Sequence, residues 1–313
     1  MKQLITIVVA IALGLAVGNF TGGTKFSSLV CVVAGIFLVT PSLFKFNLAD
    51  LGIIKTQMPA VATNLWINFG LLPFAALIIG YASRDIGIAG ALFLLALLPG
   101  GGMVMMWIKQ SGANVKLGFI LFMINLALLL PVTLIFREFQ GVAGPWFPAP
   151  DLGAVADVAA GKALMPLAPF VILILIPFTL SRIALKFLPG LVTFTSKHQP
   201  LISKVTMFGI VFYLFSLSTA QLLFEVSPLV LIKSIGATLV FYGVAIGAAI
   251  LFSDKSDTGK AVFWHIATRY ITLALILAVF NVDTFGASFI LPIMSAYFIQ
   301  IGAAGFLSKW QTG

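Results

Sequence analysis

Four polar residues, His265, Thr268, Arg269 and Thr272, recur at spacings of three and four inside the otherwise apolar run FWHIATRYITLALILAVF, residues 263–280. At 100° per residue of helix they fall within an arc of about 100°, a single polar stripe. No Asp or Glu lies in that run to neutralise Arg269. A guanidinium stays charged and presents a planar fork that matches a carboxylate. An imidazole, whose unperturbed pKa lies near 6.5, exchanges a proton in the physiological range. The chemistry on offer is therefore anion recognition and proton carriage. Catalysis at depth needs paired carboxylates or a nucleophile with its base. The chain has two histidines, His265 and a loop-placed His198, and no carboxylate inside an apolar run, so it is not expected to be an enzyme, nor to hold a metal or cofactor.

The element carrying the stripe must cross a membrane. With 61% hydrophobic residues, 9% charged and a mean hydropathy of +1.15, the apolar surface is too large for a soluble core. Apolar stretches near the roughly 20 residues that cross a bilayer as helix occur at 3–20, 27–45, 58–82, 86–108, 116–136, 163–187, 204–224, 228–252, 260–281 and 286–308. The first follows Lys2 as a signal peptide would, but it lacks a clean small-x-small cleavage site and the later stretches repeat it. Arg269 lies about nine residues into a helix beginning near Lys260, about 13 Å deep at 1.5 Å per residue. A charge there faces a cavity or a partner and marks a substrate or ion path. The competing role is structural, the guanidinium donating to carbonyls freed by a helix break.

Basic residues set the orientation. Twelve of the eighteen lysines and arginines, from Lys2 to Lys309, fall on the side of the N-terminus, and Lys25, Arg84, Arg137, Lys162 and Lys233 on the other. Both termini are expected to be cytoplasmic, in the inner (plasma) membrane of a bacterium. The net charge of +9 is a topology signal, and nucleic acid is not an expected partner. The single cysteine, Cys31, forms no internal disulfide.

The longest connection, 137–162, contains GVAGPWFPAP and divides the chain into 1–136 and 163–313, each with about five expected spans. An odd number of spans per half makes the halves face opposite ways, as in inverted-repeat transporters. In the fourth span LLPGGGMVMMW places Pro99 beside Gly100, Gly101 and Gly102, which removes a backbone donor and weakens the helix. Close helix packing is the other use of such glycines. The ninth span, its counterpart, carries the polar stripe. Breaks are predicted near 99–102 and 268–272, and interrupted segments at matching places in both halves point to a midplane site. Asn64, Asn68 and the SLSTAQ segment at 216–221 are further path candidates, whereas Asn125 and Gln300 read as helix-to-helix hydrogen bonds.

The motifs NFGLLPFAALIIGYA, PGGG, SGANVKLG and RYITLAL, in this order of spans, resemble the bile acid:sodium symporter family and the related arsenite efflux permeases of the same superfamily. The resemblance implies an all-α membrane protein of ten helices in two inverted five-helix repeats. The first, second, sixth and seventh spans would form a panel domain and the others a core, with the fourth and ninth broken and crossing. It also implies sodium ligands that this chain lacks. Val104 and Met105 stand where the family has Ser-Asn, Gly118 and Phe122 where it has hydroxyls, and His265, Arg269 and Tyr270 where it has Glu, Gln and Asn. Asn68 alone matches an amide ligand. Arsenite permeases carry a cysteine directly after the fourth-span proline, a soft ligand for arsenic(III), and here that position is Gly100.

The expected function is secondary active transport of small organic anions by alternating access, without sodium coupling. The substrate would meet Arg269, His265, Thr268, Thr272, Asn68 and Gly100, Gly101 and Gly102, with His265 exchanging protons as the coupling ion. The expected partners are that anion, protons and the lipid bilayer. An arsenite-type efflux permease and a sodium-coupled anion symporter with relocated ion sites are the alternatives.

Overall fold

The computed structural model describes residues 2–25, 27, 52–101, 103–148, 175–279 and 281–312, with residue 171 and scattered positions between 30 and 44. Cys31, Lys45, Gly102, Lys162, most of the expected second span and the far part of the 137–162 connection lie outside that set.

The described chain is helical almost throughout. Three helices, Met58–Ser83, Pro228–Phe252 and Ala287–Ser308, are long and apolar enough to cross a membrane, and they coincide closely with expected spans. Two bent pairs each qualify if taken as one span: Val115–Ala127 with Leu129–Trp146, bent by 46°, and Ile176–Phe187 with Pro189–Gln199, bent by 119°. The chain is thus an all-α protein with several helices suited to a bilayer. In hydrocarbon a helix satisfies its own backbone groups, which is why apolar runs of this length fold this way.

Local chemistry sets the boundaries. Asp85 caps Ile86–Leu97 by accepting from the N–H groups of Gly87 and Ile88 at 2.8 and 3.1 Å. Asn114 caps Val115–Ala127 through Leu117 N, and Ser256 caps Asp257–Ala267 through Gly259 N, each at 3.0 Å. These short polar side chains supply acceptors for N–H groups that the first turn leaves unpaired. All twelve residues of Ile86–Leu97 are buried, which suits a segment apolar on every face.

Two sequence boundaries are corrected. The helix Leu129–Ala143 runs through Arg137, expected to open the long connection, because FREFQGVA holds no proline and a single glycine, Gly141, before the Gly144–Pro145 pair. His198, expected in a loop, lies within the helix Pro189–Ser216, its ring 4.6 Å from that of Phe194. Pro189 at the helix start presets the backbone there, and the polar TSKHQ segment is a partly exposed stretch of helix rather than an irregular backbone.

The chain divides into two compact units, each drawing on both sides of the long connection. One comprises Met1–Leu48 and Gly161–Gln221. Within it Lys2–Thr21 packs along Pro189–Ser216, and the ends of those helices are tied by Thr24 N donating to Ser216 O at 2.8 Å and Ser218 N to Thr24 O at 3.1 Å. The other comprises Ala49–Ala160 and Leu222–Gly313. It holds the broken helices and the three long apolar ones.

Candidate functional site

Both expected breaks are present in this second unit. The segment expected as a fourth span is split into Ile86–Leu97 and Val104–Gln110, and that expected as a ninth into Asp257–Ala267 and Ile271–Val279. The intervening residues pair with each other as a short antiparallel bridge between Pro99 and Arg269. Gly100 N donates to Thr268 O at 2.9 Å, and Tyr270 N donates to Leu98 O at 2.8 Å. Each break exposes backbone donors and acceptors where water is scarce, and crossing the breaks lets each satisfy the other. Gly100 has φ +68° and Gly101 φ +140°. A Cβ on Gly100 would stand 2.7 Å from His265 Nδ1, and one on Gly101 would press on Tyr270 at 3.0 Å. Glycine is required there both for conformation and for the close approach of the two strands.

Arg269 is 1% exposed. Its Nη1 donates to Ala96 O at 3.2 Å and its Nη2 to Ile266 O. These carbonyls belong to the last turns of Ile86–Leu97 and Asp257–Ala267, so one guanidinium caps the C-terminal ends of both first half-helices. Carbonyls in a last helical turn have no partner along their own chain, and the helix dipole makes that end negative. The backbone of Arg269 is held in turn by Gln300, whose Oε1 accepts from Arg269 N at 2.5 Å and whose Nε2 donates to Arg269 O at 3.2 Å. Tyr242 donates to the same Oε1 at 2.8 Å. The helix-to-helix hydrogen bond expected of Gln300 is therefore directed at the crossing itself.

His265 is fully buried. Its Nε2 lies 2.9 Å from Gly118 O and its Nδ1 3.3 Å from Asn125 Nδ2, which also donates to Pro99 O at 3.3 Å. A carbonyl only accepts, so Nε2 carries the ring proton and Nδ1 is the acceptor. The same rule orients the amide, because Pro99 O needs a donor. Asn125 Oδ1 is left buried without a partner.

The remaining expected residues are distributed around the crossing. Thr268 donates to Trp264 O at 2.6 Å, and Thr272 lies 2.6 Å from Tyr297 OH. The 100° rule does not hold across the break, because Thr268 has φ −118° and ψ 151°, and the stripe fans out toward different neighbours. Asn68 sits in the π-helical turn Ile67–Leu71 and donates to Asn64 O and Oδ1, both at 2.9 Å. Its own Oδ1 is buried without a partner, and no hydrogen bond joins it to the crossing among the described residues.

Beside the crossing lies a narrow cleft, open at its mouth and with room inside for little more than a water-sized group, lined by Leu98, Pro99, Phe122, Asn125, Tyr270 and Leu273 among others. Pro99 and Tyr270 bring the crossing strands to its wall, whereas His265 stands behind Asn125. Sequence reasoning missed Asn125, Tyr242 and the Gly118 carbonyl as parts of the site. An isolated Asn in an apolar run was the available signal for the first, and a carbonyl has none. Among the described residues no three His, Cys, Asp or Glu side chains cluster as metal ligands. Compared with protein-family models and with curated proteins, the sequence matches none.

Proposed function

We propose that the chain is a secondary transporter of small organic anions, working by alternating access without sodium coupling, in which Arg269 permanently takes the place of the coupling cation. The carrying observation is the guanidinium donating to Ala96 O and Ile266 O, at the ends of both half-helices that stop at the crossing. In transporters with broken spans, such C-terminal ends and unwound carbonyls are where a coupling ion is held. A sodium ion there would compete with a tethered cation for the same oxygens, so the residues present do not suit it.

The fold of this reading is ten spans in two inverted repeats, 1–136 and 163–313, with both termini cytoplasmic. The composition of the two compact units supports it. One contains the described parts of the expected first, sixth and seventh spans, and the other those of the third, fourth, fifth, eighth, ninth and tenth, as a panel and a core would. The anionic substrate follows from charge. Arg269 is buried among carbonyls with no carboxylate among its hydrogen-bond partners, and Tyr270, its neighbour in the chain, forms part of the cleft wall. A ligand in that cleft experiences a fixed positive charge through a medium of low dielectric, which favours an anion.

Uptake of radiolabelled carboxylates into proteoliposomes tests this. Accumulation driven by a pH gradient and unchanged when sodium replaces choline is expected. Uptake that follows a sodium gradient at equal pH on both sides would overturn the reading. Arg269 need not touch the anion, so a stable Arg269→Gln protein should bind it several-fold more weakly rather than lose binding altogether.

A further inference from the structure

Three groups at the crossing, His265, Asn125 and the Pro99 carbonyl, share one hydrogen-bond arrangement with one place left open. The amide nitrogen of Asn125 serves two acceptors, His265 Nδ1 and Pro99 O, each at 3.3 Å. The amide oxygen serves none, although it is buried and its residue lines the cleft. Leaving a buried acceptor unpaired is costly, so the arrangement holds in reserve a state in which that oxygen is used.

From this, and resting on the anion-transport reading above, we infer that His265 and Asn125 form a proton-operated switch that makes the cleft a carboxylate subsite: when Nδ1 takes up a proton, the Asn125 amide turns over and offers its NH2 group to a bound carboxylate.

The steps follow from donor and acceptor accounting. In the structure Nε2–H donates to Gly118 O and Nδ1 accepts. A proton arriving from the aqueous side adds to the Nδ1 lone pair, after which both ring nitrogens are donors. Nδ1–H then faces an amide N–H, a donor against a donor. Rotation of the amide by half a turn exchanges its two ends, which are nearly equal in shape. Oδ1 then accepts from Nδ1–H and is no longer orphaned. Nδ2 moves to the position Oδ1 held, away from the ring, where it can donate to a ligand in the cleft. Pro99 O loses its donor and comes to face an oxygen, so the crossing strand registers the protonation as well.

The ligand class follows from the lining. Apolar walls of Leu98, Phe122 and Leu273 with a single amide suit the head of a monocarboxylate whose small hydrophobic body lies at the open mouth of the cleft. Protonation places a second positive charge four residues from Arg269, and the carboxylate offsets it. Proton and anion thus favour each other's binding, and by linkage the effect is reciprocal. The elements packed against Asp257–Ala267 add little charge of their own. Met58–Trp66 carries no titratable group, Val104–Gln110 and Val115–Ala127 carry the exposed Lys109 and Lys116, and Pro228–Phe252 carries the exposed Lys233 and the buried Tyr242, which is bound to Gln300.

The chain has two histidines, so a His198→Gln variant leaves His265 as the sole imidazole. Nitrogen-15 histidine NMR of that full-length protein in nanodiscs reads the tautomer and the charge of one residue, with benzoate as the probe. Without benzoate the neutral ring is expected as the Nε2–H tautomer. Benzoate at constant pH should convert it to the doubly protonated ring. Benzoate affinity should fall about tenfold per pH unit on the alkaline side of that titration, the slope of one linked proton. In Asn125→Leu that slope should vanish while the Nε2–H tautomer, held by Gly118 O, persists. An Nδ1–H tautomer in the free protein, benzoate binding without pH dependence, or an unchanged slope in Asn125→Leu would each overturn the switch. Sodium-independent benzoate uptake accompanying any of those results would leave the transport reading standing. If benzoate binds at no pH the subsite is refuted, and if a panel of carboxylates is not transported either, the transport reading falls with it.

Discussion

Replacing Arg269 with alanine tests the surrogate cation most directly, because the two jobs of this residue separate cleanly. Its backbone holds the crossing through Gln300 and through the bridge to Pro99, and an alanine keeps those bonds. Its side chain supplies donors to Ala96 O and Ile266 O, and an alanine removes them. Hydrogen bonds to a charged group contribute about 1.5–3 kcal/mol each, so losing both costs about 3–6 kcal/mol before any relief. Removing a buried charge returns a desolvation cost of several kcal/mol, which lowers the net loss to about 1–3 kcal/mol. The vacated space is rimmed by half-helix carbonyls, and small cations suit it. Thermal unfolding in detergent should show Arg269→Ala melting below wild type in choline chloride and recovering with millimolar ethylguanidinium or with sodium. A cation at a hundred times its dissociation constant returns about 2.7 kcal/mol, enough to offset most of the loss. Wild type, with the place filled, should respond to neither. An Arg269→Ala protein as stable as wild type, or destabilised but indifferent to both cations, would refute the idea that the guanidinium stands where a coupling ion would bind. Arg269→Lys is the internal check: one ammonium in place of a fork should lose about one such bond, about 1.5–3 kcal/mol.

Gly100→Ala should melt at least 2 kcal/mol below wild type and lose transport, because a left-handed backbone costs about 1–2 kcal/mol and the added methyl meets His265 Nδ1 at 2.7 Å. Gly112→Ala shares φ +68° with open space around it and should show the conformational cost alone. Gln300→Leu should cost about 3 kcal/mol or more by stranding the Arg269 N–H and carbonyl and the Tyr242 hydroxyl, whereas Tyr242→Phe should cost about 1 kcal/mol; chemical denaturation of the two variants side by side gives the comparison. Cysteines introduced at Lys197 and Lys255 in a Cys31→Ala background should react with a membrane-impermeant maleimide only after the cells are opened, and labelling of intact cells would reverse the proposed orientation.

Much of this molecule can be read from the chain alone because its causes are local. Apolar runs of span length become helices since hydrocarbon leaves the backbone no other partner, and the ranges at 58–82, 228–252 and 286–308 reappear within a residue or two. Pro99 and its glycines announce a break because a missing N–H and a φ that other residues resist act within one turn. The second break carried a weaker mark, polar residues in an apolar segment, and its extended residues 268–270 rotate the half-helices so that a stripe drawn at 100° per residue disperses.

Tertiary structure decided where each side chain found its partner. His265 faces Gly118 and Asn125, which lie 147 and 140 residues away in the chain, and Arg269 reaches Ala96, 173 residues away. The arginine showed from sequence as a charge without a carboxylate; two of its nitrogens donate instead to carbonyl oxygens, and its Nε stays buried without a partner. Every residue carries a carbonyl, so no pattern of residue types reveals which will be left unpaired at a helix end. That depends on how two broken helices cross, and the crossing exists only once the chain has folded.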